Sequence, residues 1–116
     1  MKPHLTPSYV PDRGDIVWLN FTPQSDHKQA GNRPALVLSP KSYNTKAGLM
    51  LCCPITKQQK GYSFEVGLTG MREISGVVLA DQLKSMDWQA RNATYKGRVS
   101  STIVADVLAK IHTLLK

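Results

Sequence analysis

Apolar positions come in short bursts along most of this chain and change their spacing only near the end. Residues 15–21 (DIVWLNF) alternate with the period of a strand, which puts Ile16, Trp18 and Asn20 on one face and Val17, Leu19 and Phe21 on the other. The unbroken run Ala35-Leu36-Val37-Leu38 lies between Pro34 and Pro40 and predicts a buried strand over 35–39. Residues 48–55 (GLMLCCPI) predict a third strand; Pro54 has no N–H to donate and belongs at its end, on an edge or at a bulge. Residues 62–68 (YSFEVGL) alternate as a half-buried strand, and Val77-Val78-Leu79-Ala80 reads as a buried one. Residues 81–88 keep a weaker alternation through Leu83, Met86 and Trp88, and the polar, basic 91–99 suits a last strand or a pair of short ones. Polar or turn-rich stretches at 22–33, 41–46, 56–61 and 69–76 connect them.

The tail differs in kind. Ile103, Val104, Val107, Leu108, Ile111, Leu114 and Leu115 recur with helical spacing and predict an amphipathic helix over 101–116. Ser100 is its N-cap, Val99 staples against Val104 across the cap, and Asp106 precedes Lys110 as an i,i+4 pair. Short strands followed by one such helix predict a mainly β protein, a small, strongly bent barrel with a helix packed on it. The whole of 1–116 reads as a single domain, in which Pro3, Pro7 and Pro11 make 1–12 an irregular lead-in.

Charge sharpens this picture. The chain has 15 Lys and Arg against 8 Asp and Glu, a net +7. Between Lys28 and Lys60 there are six cations and no acid. That field favours a polyanion, and no basic amphipathic helix accompanies it to suggest a membrane surface. Cys52 and Cys53 are neighbours in a predicted strand and point to opposite faces, a geometry that disfavours a bridge, so they read as core residues. No His/Cys/Asp/Glu cluster has metal-ligand spacing, and neither a metal nor a cofactor is expected. The start of the chain has no apolar run of a secretory leader and no stretch is long enough to span a membrane, so the expected location is the cytoplasm.

Candidate chemistry gathers around Lys28–Pro40 (KQAGNRPALVLSP), where a cationic, glycine-broken loop meets a buried strand. Pro34 pushes Arg33 into extended geometry at the mouth of that strand, with its guanidinium directed outwards. A fixed arginine beside a cationic loop is suited to binding and stabilising a phosphate. Arginines at strand ends also pair commonly with carboxylates, and the residue alone does not choose. His27 is either an acid–base group that titrates near neutral pH or a solvated loop histidine.

At this point the chain resembles a known family. Arg13-Gly14-Asp15-Ile16-Val17-Trp18, Gln29-Ala30-Gly31-Asn32-Arg33-Pro34, Tyr43-Asn44, Pro54-Ile55-Thr56, Lys60-Gly61-Tyr62-Ser63-Phe64-Glu65-Val66 and Gly76-Val77-Val78-Leu79-Ala80-Asp81-Gln82 follow one another as in the MazF toxins, with their Kid and PemK relatives. The resemblance implies an SH3-like β-barrel of the plasmid-toxin fold, assembled as a homodimer. It further implies metal-independent cleavage of single-stranded RNA, in the nearest subgroup at ACA triplets. The implied partner is a MazE-like antitoxin whose acidic, disordered C-terminal tail covers the RNA groove. Arg33 and Thr56 match the family's catalytic arginine and threonine, and Asp81 and Gln82 match RNA-contacting positions. Lys28, Gln29, Asn32, Lys57, Gln58 and Lys60, with His27, complete the expected RNA-binding set: lysines for phosphates, amides for base edges. Relatives often carry an acid where this chain has Lys28, so no mechanism here uses a carboxylate at that position.

Two other classes share these features. A gyrase poison of the CcdB type has the same fold, but its C-terminal Trp-Gly-Ile is replaced here by Leu114-Leu115-Lys116. A non-catalytic nucleic-acid-binding barrel would need only the charge. Trp18 and Trp88 read as core or dimer-interface residues.

Overall fold

A computed structural model of the chain describes residues 9–21, 31–71 and 74–116. Among these residues, seven antiparallel strands form the sheet: β1 (Asp15–Asn20), β2 (Asn32–Val37), β3 (Met50–Thr56), β4 (Glu65–Gly67), β5 (Val77–Leu79), β6 (Lys84–Met86) and β7 (Thr94–Arg98). Their spatial order is β4-β5-β3-β2-β1-β7, and β6 lies beside β3 as well. Among the described residues two α-helices join them, α1 (Lys41–Ala47) and α2 (Ser101–Thr113), with a short 3-10 helix at Ala80–Gln82.

Strand alternation divides the core in two. Ile16, Leu36, Cys53 and Val78 face one cluster, under α2, whereas Val17, Leu19, Ala35, Val37 and Cys52 face another with Met50, Met86 and Trp88. The unbroken run 35–38 is apolar throughout because both of its faces are buried. α2 contributes Ile103, Val104, Val107 and Ile111 to the first cluster, each worth about 1.5–3 kcal/mol of burial. Ser100 caps it as expected, its Oγ accepting from the Ile103 N–H at 3.4 Å. Val99 and Val104 both enter this cluster, as the staple requires.

Four expectations change. Residues 41–46 form a helix rather than a polar connection, because the residue that α1 buries is Asn44 and no apolar stripe marks it. The Asn44 amide donates to the carbonyls of Pro11 (2.7 Å) and Ser39 (3.0 Å) and accepts from the Ser39 hydroxyl (2.6 Å). Pro54 lies inside β3, not at its end or on a sheet edge. One edge of β3 pairs with β2; the other pairs with β6 through Met50–Cys52 and with β5 through Ile55 and Thr56. Pro54 sits at that changeover, where no partner needs its missing N–H. On α2, Leu108, Leu114 and Leu115 are exposed: the first lies at the margin of the stripe and the other two lie past Thr113. Lys110 donates to the Ser63 carbonyl (2.6 Å) instead of pairing with Asp106.

Of the lead-in, residues 9–12 are described and are held by Asp15. Its carboxylate accepts from the Tyr9 hydroxyl (2.7 Å), the Asp12 N–H (3.0 Å) and the Arg98 guanidinium (2.7 Å).

Candidate functional site

Each of two neighbouring strands has a proline near the same end of the sheet. The β2–β3 ladder stops at the Ala35–Pro54 rung. Continuing that register two residues further sets Arg33 opposite Thr56. Here the chains part into a cleft of about 680 Å³, lined by Arg33, Pro34, Ile55, Thr56, Lys57 and Gln58. Trp18, Ile74, Ser75 and Lys96 complete the lining.

Arg33 is exposed and held extended by Pro34, and among the described residues no carboxylate pairs with it. Its fork of N–H donors is therefore open to an anionic ligand. Thr56 is half-buried at the end of β3, opposite Val77 of β5. Its hydroxyl oxygen accepts from the Gln58 N–H at 3.1 Å, which fixes the side chain and leaves the hydroxyl proton free to donate. The turn-capping role of this threonine and a role in phosphate binding are thus compatible. Behind it, Gly76 has φ +122°, and a Cβ there would stand 2.3 Å from the Thr56 carbonyl oxygen. Only glycine permits this close approach, so Gly76 sets the position of the Thr56–Lys57 peptide. The far end of the following loop is tied by Glu65, whose carboxylate accepts from the N–H groups of Lys60 (2.9 Å) and Gly61 (3.0 Å).

Arg33 also lines a second cleft, of about 720 Å³, with Phe21, Pro54, Gln82, Lys84 and Arg91 among its walls. It therefore belongs to the walls of both depressions. Among the described residues neither lining contains an acid, and the cations are Arg33, Lys57 and Lys96 in one and Arg33, Lys84 and Arg91 in the other. Arg91 is anchored: its Nη1 donates to the carbonyls of Asn20 (3.1 Å) and Phe21 (2.7 Å). The Phe21 N–H in turn donates to the Gly31 carbonyl at 2.7 Å.

Of the expected site residues, Arg33, Thr56, Lys57 and Gln58 meet in the first cleft and Gln82 lies in the second. Asn32 is exposed opposite Asn20, and Lys60 and Asp81 are exposed; these three lie outside both linings. His27, Lys28 and Gln29 fall outside the described residues. Sequence reasoning missed Ile74, Lys84, Arg91 and Lys96, for which the basic character of 91–99 was a partial signal, and the positioning roles of Gly76 and Glu65. Trp18, read as core or interface, is 40% exposed on the cleft wall, whereas Trp88 is buried.

The cysteines are free and buried in opposite clusters, and burial pushes each thiol up to about 12. Among the described residues no three His, Cys, Asp or Glu side chains converge as metal ligands, and no helix is long and apolar enough to cross a membrane.

Residues 12–115 match the family model of the PemK-like, MazF-like toxins of type II toxin–antitoxin systems. The chain is 53% identical over 107 residues to the endoribonuclease toxin MazF of Escherichia coli K12, a match covering 92% of this chain and 96% of that protein. A crystal structure of MazF from Deinococcus radiodurans superposes with a TM-score of 0.84 at 52% identity, covering 93% of this chain and 98% of that one. A MazE–MazF crystal structure from the same organism superposes with a TM-score of 0.83 at 48% identity, covering 93% and 97%. Pattern, fold and all three comparisons agree, and this chain belongs to the PemK/MazF toxin family.

Proposed function

We propose that this protein is an endoribonuclease toxin that cuts single-stranded mRNA at ACA-like triplets by attack of the 2′-OH on the adjacent phosphorus, without a metal ion. The observation that carries this reading is that Arg33 and Thr56 line one cleft, just beyond the last rung of the β2–β3 ladder. In-line attack forms the 2′-O–P bond and breaks the P–O5′ bond. The products are a cyclic 2′,3′-phosphate and a 5′-hydroxyl, with the proton of the 2′-OH balanced by the one gained at the 5′-oxygen. The Arg33 fork and the Thr56 hydroxyl donate to the non-bridging oxygens as charge builds on the phosphorane. Lys57 and Lys28 hold flanking phosphates; Gln58, Gln82, Gln29 and Asn32 read bases. Lys60 and Asp81 bind RNA beyond the two clefts, and His27 takes part in binding and proton transfer. The 2′-OH is itself the nucleophile and the Arg33 fork meets the developing charge, so the step as written needs no divalent cation.

The protein acts as a single-domain subunit of a homodimer in the cytoplasm and is neutralised by a MazE-like antitoxin. The cationic groove supports docking of that antitoxin's acidic, disordered tail. The names of the Escherichia coli relatives, endoribonucleases MazF and PemK, support the RNA-cleaving reading.

The test uses purified protein, single-stranded RNA carrying varied triplets, and EDTA throughout, with fragment ends mapped and Arg33→Ala in parallel. Cleavage at one triplet, leaving a cyclic phosphate and lost in the variant, is the expected result. Intact RNA in the presence of folded wild-type protein would overturn the proposal.

A further inference from the structure

We propose that Lys96 is a phosphate-binding residue of the RNA groove, delivered there by a bulge in β7. This rests on the nucleic-acid reading above and extends it to a residue outside the expected site. The register between β1 and β7 slips: Ile16 faces Gly97, but the next residue, Val17, faces Tyr95. Lys96 is the extra residue, with no partner on β1. Alternation from Thr94, which faces Trp18, places Lys96 on the Trp18 side; the slip then puts Gly97 on that side as well, opposite Ile16. Two successive residues of β7 thus face the same way. The glycine makes room for the chain above it, where a Cβ would meet Met71 Cε at 3.2 Å and Ile74 Cδ1 at 3.5 Å. The lysine enters the cleft wall beside Trp18 and Ile74, in the same depression as Arg33 and Thr56.

Its charge is uncommitted. Lys96 is exposed, and among the described residues no carboxylate pairs with it. Bulges recur beside active sites because they re-aim a side chain without breaking the sheet. An ammonium on a flexible stem, facing a groove already lined by Arg33 and Lys57, suits a backbone phosphate rather than a base edge. Its contribution is therefore to affinity, not to the chemical step or to the choice of triplet.

The experiment measures binding of a single-stranded RNA, made uncleavable by a 2′-deoxy substitution at the scissile position, by fluorescence anisotropy across a salt series. Loss of one phosphate contact lowers the slope of log K against log[salt] by about 0.7 for a single strand. Lys96→Ala is expected to show that drop and Lys96→Arg to restore the slope. Lys116→Ala, which removes the same charge at a distance, is expected to keep it. With cleavable RNA, Lys96→Ala raises KM by about three- to tenfold, equally for matched and mismatched triplets, and keeps kcat. An unchanged slope in Lys96→Ala, with wild-type protein binding and cutting RNA, overturns the role of Lys96 and leaves the nuclease reading standing. Wild-type protein that neither binds nor cuts RNA overturns both.

Discussion

Gly76→Ala tests how the site is held together. The methyl group would lie 2.3 Å from the Thr56 carbonyl oxygen and 2.9 Å from its carbon, so reaching ordinary contact at 3.4 Å needs a movement of about 1 Å. Both atoms are backbone, in the β3 segment paired with β5, and neither can turn aside as a side chain would. The φ of +122° adds a conformational cost of about 1–2 kcal/mol for any residue with a Cβ. Overpacking adds about 1–3 kcal/mol. A total of about 2–5 kcal/mol lowers the melting temperature by roughly 8–20 °C for a domain of this size. The displaced Thr56 lowers the cleavage rate by about 100-fold in protein that remains folded, as a misplacement of about 1 Å at a reacting centre does. The assay pairs thermal unfolding with single-turnover RNA cleavage well below the transition. Gly48→Ala is the control: Gly48, with φ +70°, ends α1, and a Cβ there meets nothing within 4 Å. That variant pays only the conformational cost and keeps the wild-type cleavage rate. If Gly76→Ala melts no lower than Gly48→Ala, the steric argument is wrong. If it is destabilised yet cleaves at the wild-type rate while folded, Gly76 does not position Thr56.

Three further outcomes are expected. Thr56→Ser retains most cleavage, because it keeps the hydroxyl that both accepts from Gln58 and donates, whereas Thr56→Val loses about 100-fold or more; equal activities would remove the hydroxyl from the mechanism. Cys52 and Cys53 resist thiol reagents in the native protein and react once it unfolds. Each thiol rises from 9.0 to about 12 on folding, so its stabilising share is complete below about pH 9 and disappears as pH climbs towards 12. Urea unfolding from pH 8 to 11 should show that decline, and Cys52→Ala with Cys53→Ala should make it shallower, leaving the part due to Tyr9, which burial and Asp15 also raise. Uncleavable RNA should quench tryptophan fluorescence through Trp18 on the cleft wall, an effect abolished by Trp18→Phe and kept in Trp88→Phe; quenching that survives Trp18→Phe would place the RNA elsewhere.

Where a segment's own periodicity carries the information, the chain is readable. The alternation in 15–21 matches the division of Ile16 and Val17 between two clusters, and the stripe and cap at 100–111 match α2. The opposed, unbridged cysteines follow from the same two-residue period. Reading failed where burial is polar or pairing is irregular. α1 was hidden because its buried residue is Asn44, which satisfies its amide through Pro11 and Ser39 rather than by packing hydrocarbon. Pro54 was misplaced because a strand's single edge can serve two partners in turn, which no local rule anticipates. Lys96 was invisible for a related reason: strict alternation assigns faces correctly only until a bulge resets it.

By itself, then, the sequence determined the strand-rich class, the C-terminal helix, the acid-free cationic run and the family, all of which are written in neighbouring residues or in motif order. The tertiary structure alone decided that Arg33 and Thr56 share a cleft, that Lys96 joins its cationic lining while Lys84 and Arg91 line the neighbouring one, and that Gly76 backs the Thr56 peptide. Backbone geometry imprints its period on each element separately. Register, bulges and close approaches instead arise where strands distant in sequence pair, and only pairing sets which side chains meet.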